Sequence, residues 1–133
     1  MSDRAIPIGI SDFSEIRQKN QYYIDKTGLI RSLLKKNPVK VTLITRPRRF
    51  GKTLAMSMLA HFFDIREDST ALFHGLAIEQ ETELCAQWQN RYLTIFLTFK
   101  DVDGLNFESA FGMLRMQLSS LFIEHNYLLN FVE

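Results

Sequence analysis

The stretch Val39-Lys40-Val41-Thr42-Leu43-Ile44-Thr45-Arg46-Pro47-Arg48-Arg49-Phe50-Gly51-Lys52-Thr53, left through Leu54-Ala55-Met56-Ser57-Met58-Leu59-Ala60, decides how the rest of the chain is read. Its first seven residues are largely β-branched and follow Asn37-Pro38, the pattern of a short strand buried on both faces. Its last seven are apolar on nearly all sides, as in a buried helix. Between them a basic loop closes on Gly-Lys-Thr. Strand, tight loop and helix in that order let backbone N–H groups and the positive end of the helix dipole converge on one phosphate group. Lys52 is expected to reach the β- and γ-phosphates, Thr53 to place its hydroxyl on Mg²⁺, and Gly51 to let phosphate approach the backbone. Arg46 stands where the G-x-x-x-x-G-K-[ST] pattern has its first glycine; preceding Pro47, it favours extended backbone over a left-handed turn. A basic surface turn is the alternative reading of the same residues.

This reading implies an α/β fold: a partial P-loop NTPase with a parallel βαβ core, flanking helices and an incomplete sheet. The second strand is expected over Tyr92 to Phe99, with the phosphate site at the carboxyl end of the first. At 133 residues the chain fits one domain, yet a doubly wound sheet usually has about five strands and only two strong ones are legible. Residues 1–37 read as lead-in helices and 38–133 as the N-terminal portion of the nucleotide-binding domain. The apolar ending Leu128-Leu129-Asn130-Phe131-Val132-Glu133 has no helix-stop signal, so an N-terminal fragment is expected.

Other elements follow from caps and periodicity. Asp12, with Glu15 three residues on, predicts a capping box opening a helix to about Lys19. Asp25 predicts a second helix from Lys26 to Lys36, striped by Leu29, Ile30, Leu33 and Leu34. Leu72 to Leu76 reads as a compact apolar knot and Glu79 to Gln89 as a short polar helix. Asn106 predicts a helix start at Phe107, and Phe107, Phe111, Leu114, Leu118, Leu121 and Phe122 form a stripe that reads as core packing. Tyr22-Tyr23-Ile24-Asp25-Lys26-Thr27 lies just before the first expected strand. Tyr23 is a candidate to stack on a base and Lys26 to approach a phosphate, against a packed aromatic and an ordinary helix cap.

Composition narrows the classes. A hydrophobic fraction of 46% is that of a folded domain. A single cysteine, Cys85, allows no internal disulfide, and without a signal peptide or long apolar run the expectation is a reduced cytoplasm and no membrane span. His61, His74 and His125 are scattered and read as packed or surface residues. A net charge of +1 gives no global attraction to nucleic acid, the local cluster Arg46, Arg48, Arg49 and Lys52 excepted. That cluster leaves open a nucleic-acid-binding module. A third reading is a non-hydrolysing interaction module, or self-association through an unfinished sheet edge.

Taken together, Ile6-Pro7-Ile8-Gly9, Asp12-Phe13, Ile16-Arg17, Tyr22 to Thr27, Arg46 to Thr53, Phe63-Asp64-Ile65, Leu72 to Ile78 and Phe96 to Asp101 resemble the N-terminal part of the bacterial AAA-ATPase-like family. Its members are large proteins often carrying a restriction-endonuclease-like domain at the C-terminus. The resemblance covers essentially the whole chain, and arginine at position 46 is part of it. It implies ATP rather than GTP, with Mg²⁺, and hydrolysis by the complete protein, Lys52 stabilising charge on the transferring phosphoryl group. It also leaves nucleic acid as a partner of the full-length protein. The family's acidic Walker B strand, ending in Asp-Glu, lies well downstream of these segments. Here the nearest run, Leu93 to Asp101, reaches a carboxylate only past the expected strand end. Binding with little or no turnover is therefore expected of this chain alone.

Overall fold

The computed structural model describes residues 4–35, 41–45, 51–99 and 102–131. They fall into two compact units, one within Met1–Thr94 and one within Ile95–Glu133.

In the first unit, helices α1 (Phe13–Gln18), α2 (Gly28–Lys35), α3 (Lys52–Phe63) and α4 (Thr82–Trp88) are joined by 3-10 turns at Thr70–Phe73 and Ala77–Gln80. Asp12 caps α1, its carboxylate accepting from the Ser14 amide. Glu15 pairs with Lys19 at 2.6 Å. The α1 stop comes from Asn20, which takes a left-handed φ of 50° that asparagine tolerates. Phe13, Ile30, Met58, Phe62, Phe73, Leu76 and Ile78 form the core, drawn from α1, α2, α3 and the knot at 70–78. Its aromatic rings meet edge-on or tilted: Phe13 on Tyr23 and Phe73, and Phe62 on Phe63 and Phe73. Arg17 fastens α1 to the knot, its Nε donating to the Leu72 carbonyl at 2.7 Å and its Nη2 to that of His74 at 2.6 Å.

Asn90 closes the far end of α3. With a left-handed φ of 55°, it donates its backbone N–H to the Phe62 carbonyl and its side-chain amide to the carbonyls of His61 and Asp64. Its side-chain oxygen accepts from the Ser69 amide and hydroxyl, both at 2.9 Å. One side chain thus satisfies helix-end carbonyls and a buried turn together.

The expected α/β fold with a parallel βαβ core is overturned. Among the described residues 56% are helical and none forms a strand or sheet. Val41 and Leu43, expected inside a sheet, are 84% and 85% exposed. The one β contact among the described residues is an isolated parallel bridge, Asp64 to Tyr92, in which the Ile65 N–H reaches the Tyr92 carbonyl at 2.8 Å and the Tyr92 N–H that of Phe63 at 3.0 Å. The chain at Tyr92 therefore pairs with the exit of α3, where Asn90 pins it, and not with 41–45. A β-branched run encodes a preference for extended, buried backbone; the ladder that makes it a strand has to come from elsewhere in the chain.

The second unit holds α5 (Phe107–Glu124) and a 3-10 turn at Asn126–Phe131. Asn106 caps α5 as expected, accepting from the Ser109 amide at 2.9 Å. The apolar stripe is not core packing here: no residue of α5 is buried, and Phe107 and Phe122 are 79% and 78% exposed.

Candidate functional site

Gly51 is the N-cap of α3, with φ 74° and ψ 23°. Glycine takes this left-handed conformation without the Cβ penalty that other residues meet. It also brings no side chain to the helix start. The first bond in the ladder is from the Ala55 N–H to the Gly51 carbonyl at 2.9 Å. The N–H groups of Lys52, Thr53 and Leu54 thus have no acceptor among the described residues, and no side chain caps them. Lys52 and Thr53 are exposed, and the first turn carries no acidic residue. Among the described residues the helix start is a positively polarised set of open donors.

A second element reaches this point. The Lys26 Nζ lies 3.5 Å from where a Cβ on Gly51 would stand. The neighbouring residues fix the segment that bears it. Thr27 is fully buried, its hydroxyl donating to Asp25 Oδ1 at 2.6 Å and accepting from the Ile78 amide at 3.1 Å. Asp25 also accepts from the Ala77 amide at 2.7 Å. Burial pushes the Asp25 carboxyl up, and the bonds from Thr27 and Ala77 more than offset it, holding the group below the usual carboxylate value. Asp25 acts as a clasp onto 77–78 rather than as a cap on α2, which starts at Gly28.

Tyr23 is half-buried, with its ring edge-on to Phe13 and its hydroxyl donating to Met58 Sδ at 3.5 Å. Burial raises its phenol above the ordinary value. The structure thus brings Lys26, Gly51, Lys52 and Thr53 together and seats Tyr23 against the core. Arg46, Pro47, Arg48, Arg49, Phe50 and the strand-end Asp101 lie outside the described residues.

A polar network on the opposite part of α3 was not legible in advance. His61 bridges two carboxylates, with Nδ1 2.7 Å from Glu67 Oε2 and Nε2 3.0 Å from Asp12 Oδ1. Ser57, one turn earlier on the same face, donates to Asp12 at 3.1 Å and accepts from the Phe13 amide at 3.0 Å. Burial pulls the His61 imidazole down, but its bonds to Glu67 and Asp12 prevail and raise it above 6.5. Burial pushes Asp12 up, and its bonds with His61, Ser14 and Ser57 bring it below 3.8. The i, i+4 spacing of Ser57 and His61 was the available signal; the acids come from residues 45 and 6 positions away in sequence. The network joins α1 to α3 and is structural, since the Ser57 hydroxyl is already committed on both sides.

In the second unit, Phe96, Leu97, Met113, Met116 and Leu121 line an apolar cleft of about 420 Å³ that contains none of the residues expected to bind nucleotide. Among the described residues no cluster of three metal-ligating side chains occurs, and no helix is long and apolar enough to cross a membrane.

The family described as "Predicted AAA-ATPase" matches residues 7–130. An uncharacterized protein in the vnfD 5' region of Azotobacter chroococcum mcd 1 is 35% identical over 100 residues, which is 74% of this chain and 18% of that relative. The chain therefore spans less than a fifth of the length of the curated relative it matches. No solved structure matches it. With the open helix start of α3 inside a family match that runs over nearly its whole length, the chain belongs to the AAA-ATPase-like family.

Proposed function

We propose that this chain binds a purine triphosphate with Mg²⁺ at the start of α3, as the nucleotide-binding part of an ATPase. One observation carries the reading. Gly51 begins α3 in a left-handed conformation with no side-chain cap, so three consecutive N–H groups have no acceptor among the described residues, beside the exposed Lys52 and Thr53. A polyphosphate satisfies these donors and the helix dipole together. In this reading Lys52 donates to the β- and γ-phosphates, and Arg46, Pro47, Arg48, Arg49 and Phe50 are the expected further binding residues. Thr53 supplies one hydroxyl oxygen to Mg²⁺, which takes its other ligands mainly from phosphate and water. The donor set fits that ion only in company with the phosphates, since the first turn of α3 offers no carboxylate. A base would meet the part of the Tyr23 ring that Phe13 and Met58 leave open. ATP is preferred to GTP on the family relationship.

The magnesium ion would screen charge on the transferring phosphoryl group in the complete protein. This chain holds the phosphates in place, and its Walker A-type Lys52 is the residue aimed at the charge that develops there. Turnover is proposed for the complete protein, whose downstream acidic strand would position the attacking water. Calorimetric titration of Mg-ATP tests the binding step. Lys52→Ala should lose about 10- to 100-fold in affinity, the worth of one charge-assisted hydrogen bond. An unchanged affinity, or binding that falls steeply with salt and ignores magnesium, would reject this reading in favour of a nucleic-acid phosphate contact.

A further inference from the structure

We infer that Lys26 is a second cation of the phosphate site, delivered by the lead-in segment, and that it selects a di- or triphosphate over a monophosphate. The inference rests on the nucleotide reading and adds a residue outside the loop that defines it. Four observations converge. The Lys26 Nζ stands over Gly51, 3.5 Å from the position of an added Cβ. Its side chain has no hydrogen-bond or ion-pair partner among the described residues. Asp25, the acid beside it, is engaged by the Thr27 amide and hydroxyl and by the Ala77 amide. Finally, the start of α3 carries Lys52 and no acid in its first turn.

Two lysines and a helix N-terminus in one neighbourhood repel one another unless an anion lies between them. A monophosphate can satisfy the three open amides alone. A chain of phosphates extends past the helix start, with its added charge within reach of a lysine that arrives from the side. Thr27 makes the approach reproducible, because it is fully buried and bonded on both sides to Asp25 and Ile78. The flexible stem of Lys26 remains to be ordered on binding. Nucleotide would then also tie the lead-in segment to α3.

The test is titration of the purified chain with Mg-ATP, Mg-ADP and AMP, using wild type, Lys26→Gln, Lys26→Arg and Lys52→Ala. Lys26→Gln should weaken Mg-ATP and Mg-ADP about tenfold while leaving AMP unchanged, and Lys26→Arg should recover most of the loss. Without nucleotide, Lys26→Gln should melt at or above the wild-type temperature, since it removes a repulsive charge and no contact. Amide exchange at 26–30 should slow on adding Mg-ATP to wild type and not to Lys26→Gln. Mg-ATP affinity lost in Lys52→Ala yet unaltered in Lys26→Gln would overturn the role of Lys26 alone. A wild-type chain that binds none of the three nucleotides would overturn the phosphate site itself.

Discussion

Helices α3 and α5 carry similar apolar material and meet different fates. In α3, a 12-residue helix, Met58 and Phe62 are completely buried against Phe13, Phe73 and their neighbours. In α5, an 18-residue helix, Phe107 and Phe111 stack on each other with centroids 5.7 Å apart, and no residue is buried. Helical spacing of apolar residues states which face needs covering. What covers it depends on long-range partners, which α3 finds in α1 and the 70–78 knot.

The sharpest way to break this contrast is to truncate one phenylalanine on each helix. Phe62→Ala should cost about 3–5 kcal/mol of unfolding free energy, because it empties a filled site between four elements. Phe122→Ala should stay within about 0.5 kcal/mol, as surface changes do. Urea denaturation of both variants gives the comparison. A Phe122→Ala loss rivalling that of Phe62→Ala would show that α5 is packed in solution.

The same contrast marks what the sequence made legible. Local signals were readable: Asp12 and Asn106 at helix starts, the 72–76 knot, and a helix opening at the Gly-Lys-Thr tripeptide. These depend on neighbours within a few residues. The βαβ core was not, because Val41 to Thr45 shows its preference for a strand but no ladder partner among the described residues. Nor was the dual role of Asp25 and Thr27, whose partners at Ala77 and Ile78 lie 52 and 51 residues away. Of the candidate site, Gly51, Lys52 and Thr53 were readable from their motif and Lys26 only by its place before it. That its ammonium stands over Gly51 required the fold.

A smaller effect comes from the His61 bridge, a polar counterpart of the core beside α3. The folded imidazole titrates above 6.5, so the bridge contributes fully below that pH and its contribution disappears as pH rises through the raised folded value. Asp12 works the other way: its folded value lies below 3.8, so its share is present above 3.8 and fades as pH falls through the lowered one. The stability difference between wild type and His61→Gln should therefore be largest between these limits and shrink above neutrality. Denaturation midpoints measured from pH 5 to pH 9 test this; a difference that stays constant across the range would show that the bridge is steric rather than ionic.

The smallest expected effect tests α5 itself. A helix with no fully buried residue depends heavily on local terms, and two of these oppose each other. Asn106 satisfies the Ser109 amide at the start, whereas Gly112 weakens the middle through its backbone freedom. A Cβ at Gly112 would meet nothing within 4 Å, so Gly112→Ala should stabilise α5 by about 0.5–1 kcal/mol. Asn106→Ala should remove about 1 kcal/mol, leaving the double variant close to wild type. Amide exchange across 107–124 reads both changes in the intact chain. In a helix held by tertiary packing, such changes would be felt through the unfolding of the whole unit; in α5 they should appear as local protection that rises with Gly112→Ala and falls with Asn106→Ala. If neither substitution alters that protection, α5 is held by contacts beyond its own backbone, and the contrast with α3 fails at its root.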